Sequence, residues 1–133
     1  MLENELRHRV HVEDSEDAAR CTIRLRDAFL NYTFSDQLKT ALKDVCHERA
    51  GRGVRAFVID LSAVNVMDSC GLSLLIALRK LVEAAHGRLV LVASSPILLR
   101  LFAITRLDGV FEIVRDEPAA QAALLRPPAP HAA

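Results

Sequence analysis

Asp60-Leu61-Ser62-Ala63-Val64-Asn65-Val66-Met67-Asp68-Ser69-Cys70-Gly71-Leu72 decides how this chain is read. The stretch leaves a nearly continuous apolar run, Ala56-Phe57-Val58-Ile59, and enters another, Leu72-Ser73-Leu74-Leu75-Ile76-Ala77-Leu78. The first reads as a strand covered on both faces, as strands of parallel sheets are. The second reads as a helix from Gly71 to about Ala85, stopped by Gly87. Leu89-Val90-Leu91-Val92-Ala93 reads as another strand of the first kind. Strand, helix and strand in that order form a right-handed βαβ unit. Residues 56–61 and 89–93 are therefore expected to be neighbouring parallel strands. The turn between strand and helix leaves the C-terminal end of a central strand, where open α/β sheets place their sites.

Ser69 stands at the helix mouth, between Asp68 and Cys70, with Gly71 two residues on. The first amides of a helix lack intrahelical partners and carry positive partial charge. Two roles follow. Ser69 or Asp68 caps the helix, a role worth ~1 kcal/mol. Alternatively, Ser69 is a modification site, because a phosphate there meets backbone suited to anions. The first two helical turns are apolar nearly all round, through Leu72, Leu74, Leu75, Ile76, Ala77 and Leu78. Such a helix is buried on every side or covered by a partner, and part of this surface is expected to be a docking patch.

Further elements follow from local pattern. Residues 7–12 and 21–25 alternate as two strands, joined by a polar link over residues 13–20. Ser35 precedes a helix from about Asp36 to Arg49, with Leu38, Ala41, Leu42 and Val45 on one stripe. Ser95 and Pro96 form an N-cap and N1 pair. The short helix they open is expected to bury Ile97, Leu98, Leu101 and Phe102 and to expose Arg100. Residues 110–114 read as a last strand, and Glu117 to Leu125 as a closing helix. One domain over residues 1–126 and a disordered Pro/Ala tail over 127–133 are expected.

Composition excludes several classes. Hydrophobic residues make up 51% of the 133 residues, which indicates a globular chain. Formal net charge is zero, and the fourteen arginines are scattered from Arg7 to Arg126. With no Trp and one Tyr, nothing suggests nucleic-acid binding. Cys21, Cys46 and Cys70 lack C-x-x-C spacing, so neither a disulfide framework nor a zinc site is expected. The first five residues lack the pattern of a secretory signal. No apolar run approaches the ~20 residues needed for membrane insertion. A cytoplasmic setting without cofactor or metal is the expectation.

Enzymatic readings are weak. Cys70 as a nucleophile needs a base, and nothing in the sequence brings His47 or His86 to it. Met67 stands where a G-x-S-x-G elbow around Ser69 needs its first glycine. His8, His11, His47, His86 and His131 have no ligand spacing. Asp60 and Asp68 resemble an acid–base pair only superficially: Asp60 ends a strand, and Asp68 orients the Ser69 loop.

Asp60-Leu61-Ser62 followed by Met67-Asp68-Ser69-Cys70-Gly71-Leu72 resembles the signature of STAS domains, specifically bacterial anti-sigma factor antagonists. Ile23-Arg24-Leu25, Ser95-Pro96 with Arg100-Leu101-Phe102, and residues 107–113 are similar to further family segments. The resemblance implies a single α/β STAS domain with a mixed, mostly parallel sheet of about five strands. It implies a non-enzymatic, partner-switching protein, a monomer when free. Unphosphorylated, it binds an anti-sigma factor serine kinase of the histidine-kinase-like ATPase fold and so releases the sigma factor. Phosphorylation of Ser69 breaks that complex, and a PP2C-type phosphatase resets it. Asp68 and Gly71 shape the loop, and Leu72, Leu75, Ile76, Leu98 and Arg100 supply the docking face. The alternative is a STAS subunit of a lipid-transport ABC system or a stressosome-type scaffold. The sequence departs from the family pattern at Cys70, where Ser or Thr is frequent, and at Arg26-Asp27-Ala28-Phe29, where a glycine is usual. Asn31 replaces an expected acid, and Arg106 an expected glycine.

The tail has no apolar periodicity to bury. Deleting residues 127–133 should therefore leave the thermal midpoint unchanged. A clear drop in a melting curve would show that the tail packs.

Overall fold

The computed structural model describes residues 8–30 and 35–127. Along the chain run β1 (Val10–Asp14), β2 (Arg20–Leu25), β3 (Phe29–Leu30), α1 (Ser35–Gly51), β4 (Ala56–Asp60) and β5 (Val66–Met67). Then come α2 (Ser69–Ala84), β6 (Arg88–Val92), α3 (Pro96–Ile104), a 3₁₀ turn (Leu107–Gly109), β7 (Glu112–Val114) and α4 (Glu117–Leu124). The main sheet has the order β1-β2-β4-β6-β7. β1 pairs antiparallel with β2, and every other pairing in this sheet is parallel. Among the described residues the fold is thus a mixed, mostly parallel five-stranded sheet with four helices. A second, two-stranded sheet pairs β3 with β5, Phe29 opposite Val66 and Leu30 opposite Met67.

The expected pair of central strands is present: Phe57 lies opposite Leu89, and Ile59 opposite Leu91, in parallel register. Their apolar runs are continuous because both faces are covered. Phe57, Ile59, Leu89 and Leu91 join a core with Leu38 and Leu42 of α1, Leu74, Leu75 and Leu78 of α2, and Leu98 and Phe102 of α3. Val58, Val90 and Val92 point to the opposite face and meet Ala120 of α4. Burying a large aliphatic side chain contributes roughly 1.5–3 kcal/mol, so this two-sided burial is the main stabilising term.

Several boundaries differ from the sequence reading. The first strand is Val10–Asp14, so Glu13 and Asp14 belong to a strand, where they face Arg24 and Arg49. A carboxylate near an arginine needs no loop to stay solvated. Residues 107–109 form a 3₁₀ turn, which shortens the last strand to Glu112–Val114. Helix α2 begins at Ser69 rather than Gly71. The calls on Asn31 and on residues 128–133 lie outside the described residues.

Helix α2 ends on a tight reversal. His86 adopts φ 61°, its amide donates to the Glu83 carbonyl, and the Gly87 amide donates to that of Val82 at 2.8 Å. This is a Schellman ending with histidine, not glycine, in the left-handed position. Gly87 serves a different need: a Cβ there would lie 2.9 Å from Val82 Cγ1 and 3.1 Å from the Arg55 carbonyl oxygen. Gly87→Ala should cost about 1–3 kcal/mol through overpacking. Gly51→Ala, where nothing lies within 4 Å, should be neutral or mildly stabilising. Denaturant titrations of the two variants check this; equal stabilities would refute the packing argument.

Candidate functional site

The segment between β4 and α2 is fixed at both ends. Leu61 continues the pairing of the central strands, its amide donating to the Val92 carbonyl at 2.7 Å. Asp60 Oδ1 accepts from the Ser62 amide at 2.8 Å and from the Ser62 hydroxyl. The Asn65 amide donates to the Ala28 carbonyl at 2.8 Å, which sets β5 beside β3. The Ser95 hydroxyl donates to the Asn65 carbonyl at 2.8 Å and accepts from the Leu98 amide. The start of α3 is thereby tied to the same loop. Met67 is buried and anchors the segment from below.

Asp68 is the N-cap of α2. Its backbone is extended, with φ −94° and ψ −172°. Its Oδ1 accepts from the amides of Cys70 at 2.9 Å and Gly71 at 3.1 Å. Ser69 is therefore the first helical residue and not the cap. Its side chain is exposed, and it has no side-chain hydrogen bond among the described residues. Gly71 is buried in the first turn. Ser69, Cys70 and Ser73 face Asp36 and Lys39 of α1 across a cavity of about 230 Å³.

The expected docking residues separate. Leu75 and Leu98 are fully buried in the core, a correction to their placement on a docking face. Helix α2 packs beside α1 and against the sheet, so most of its apolar girth is covered by its own domain. Leu72 and Ile76 are partly buried against that core. Arg100 is exposed. Ile97, expected inside, is 63% exposed. Around the Ser69 loop the exposed large apolar residues, among those described, are Phe29, Val66 and Ile97. Phe29 pairs with Val66, and Ile97 follows the Ser95 that grips Asn65. Only the pairing of β3 with β5 reveals this group, and strands of two residues are too short to show alternation.

Among the described residues Cys70 has no histidine partner. His47 lies beside Ala84 and Ala85 at the far ends of α1 and α2, about 20 Å along the helix from Cys70 at 1.5 Å per residue. His86 follows that same far end. Cys21 and Cys46 are fully buried, and burial pushes both thiols up to about 12. Among the described residues no cluster of His, Cys, Asp and Glu could hold a metal ion, and no helix is long and apolar enough to cross a membrane.

Behind the site lies a second polar group. Asp60 is buried on the α4 side of the sheet. Arg24 grips Glu117 of α4 with two bonds of 2.6 Å and also reaches Glu13 at 3.2 Å. The Arg24 guanidinium, with help from a hydrogen bond to Asp60, holds the Glu117 carboxyl down at about 2. Burial, then the hydrogen bond to Glu117, pushes Asp60 up. Both causes favour the protonated form of Asp60 over its carboxylate.

These observations meet a family pattern. Residues 9–120 match the model of the STAS domain. The chain belongs to the STAS domain family. An anti-sigma factor antagonist from Mycobacterium paratuberculosis has 26% identity and a TM-score of 0.74, over 88% of this chain and 93% of that one. A candidate anti-sigma factor antagonist from Thermotoga maritima has 22% identity and a TM-score of 0.73, over 90% and 97%. The Bacillus cell fate determinant SpoIIAA in its phosphorylated form has 20% identity and a TM-score of 0.62, over 88% and 99%. This STAS domain therefore shares its fold with anti-sigma factor antagonists along nearly its whole length.

The Asp60–Glu117 pair makes stability pH-dependent. A carboxyl raised in the folded state stabilises below the window between its unfolded and folded values and loses that contribution as pH rises through it. Glu117 acts oppositely: its contribution is present above the usual glutamate range and is lost as pH falls toward about 2. Asp60→Asn is neutral at every pH, like the protonated acid, and its amide nitrogen can donate where a carboxylate cannot. The stability of Asp60→Asn relative to wild type should therefore rise with pH above the usual aspartate range. Urea titrations at several pH values check this; a difference independent of pH would contradict the raised Asp60 carboxyl.

Proposed function

We propose that this STAS domain is an anti-sigma factor antagonist whose affinity for its partner is gated by phosphorylation of Ser69. The observation that carries the reading is the cap: Asp68 occupies the amides of Cys70 and Gly71, so the exposed Ser69 hydroxyl has no structural duty in the helix. A serine needed only as a cap would be engaged with those amides. The position of His47 at the far end of α1 from Cys70 gives no support to a Cys70 nucleophile.

In this reading the partner is an anti-sigma factor serine kinase with a histidine-kinase-like ATPase fold, met in the cytoplasm. It binds the unphosphorylated protein and releases its sigma factor. It then transfers the γ-phosphoryl group of ATP to Ser69 Oγ. The bond to ADP breaks as the new P–O bond forms, and the hydroxyl proton leaves to a base of the kinase. A PP2C-type phosphatase restores the serine. Phe29, Val66 and Ile97, with Leu72, Ile76 and Arg100, form the contact surface around the acceptor. Phosphate adds roughly −1.5 to −2 charges. Burying such a dianion against apolar surface is costly, and that cost falls in the complex rather than in the free protein.

Phosphosite mapping after incubation with the kinase and ATP should find Ser69 modified. Ser69→Ala should resist modification and bind constitutively. Ser69→Asp should bind at least tenfold more weakly with its fold intact. Phosphate on another residue, or equal affinity of wild type, Ser69→Ala and Ser69→Asp, would turn the reading toward a constitutive scaffold.

A further inference from the structure

We propose that Lys39 of α1 is the intramolecular counter-ion of phosphorylated Ser69, receiving the phosphate in the cavity between α1 and α2. The inference rests on Ser69 being the modified residue. The cavity is open to solvent and offers about 230 Å³, many times the roughly 10–15 Å³ of such space that holds one water, so a phosphoryl group fits with solvent. Its walls are Asp36, Lys39, Ser69, Cys70 and Ser73. Lys39 is the one cation among them. It is partly buried and makes no ion pair among the described residues.

The cap makes such a cation necessary. The amides of Cys70 and Gly71, which would otherwise meet an anion at the helix start, already point at the Asp68 carboxylate. A phosphate on the next residue therefore meets a negative charge at close range. Across the cavity Asp36 adds a second. Lys39, one helical turn from Asp36 on the same face of α1, offsets both. The phosphate held there is drawn over the seam between the two helices. A phosphate without Lys39 would project into water from Ser69. Phosphorylation then acts by ordering charge at a set place on the surface, as well as by adding it.

The test needs no kinase. Phosphoserine is installed at position 69 during synthesis of the full chain, and its second ionisation, ordinarily at about 6, is followed by phosphorus NMR. A nearby cation favours the dianion and lowers that midpoint; a nearby carboxylate raises it. Lys39→Met should raise the midpoint by about half a pH unit, the scale of a surface ion pair. Asp36→Asn should lower it by a similar amount. Lys43→Met, one turn further along α1 and outside the cavity walls, should leave it unchanged. No shift in Lys39→Met, or an equal shift in Lys43→Met, would overturn the proposal. Failure of Ser69 as a kinase substrate would appear separately, in phosphosite mapping, and leaves this titration unaffected.

Discussion

The hydrogen bonds from the Cys70 and Gly71 amides to the Asp68 carboxylate determine what the rest of the site can be. They set the first residue of α2 and with it the phase of the whole helix. With α2 starting at Ser69, Leu74, Leu75, Leu78 and Val82 fall on the buried side, and Ser69 and Ser73 fall outside. The cap also consumes the backbone donors that a helix start offers to anions. An exposed hydroxyl beside an occupied anion site is a reactive group without a structural obligation. The surrounding loop can hold it still because Met67, Asn65 and Asp60 are each anchored to a different neighbour.

The fold was legible where burial leaves a pattern. Residues 56–59 and 89–92 are apolar without alternation because α1, α2 and α3 cover one face and α4 the other. Ser95 with Pro96 marked the start of α3, because a capping hydroxyl and a pre-set φ are local requirements. The docking residues were less legible. An apolar helix looks the same whether its own domain or a partner covers it, so sequence alone offers Leu75 and Leu98 to a docking face and puts Ile97 in the core. Only tertiary packing distinguishes the two. The same holds for Lys39, which is thirty residues from Ser69 in sequence and meets it only because α1 and α2 lie side by side.

Arg106 shows a departure from the family pattern with a backbone cost. The resemblance predicts glycine there, and the residue adopts φ 61° and ψ 19°, the left-handed region. A non-glycine residue in that conformation costs roughly 1–2 kcal/mol. The turn it makes connects α3 to the 3₁₀ segment ahead of β7. The glycine expectation thus had a physical basis in the chain reversal, and this chain bears the strain with arginine.

In the proposed switch, phosphate on Ser69 acts on the complex and not on the fold. Asp68 repels the new charge, but Ser69 is exposed and water screens most of that repulsion. The direct measurement is made on one homogeneous sample of phosphorylated protein, with its thermal midpoint and its partner Kd compared with those of the unphosphorylated form. A midpoint within a few degrees and a Kd at least tenfold higher are expected. A midpoint that collapses on phosphorylation, or a Kd that does not change, would contradict the proposed switch.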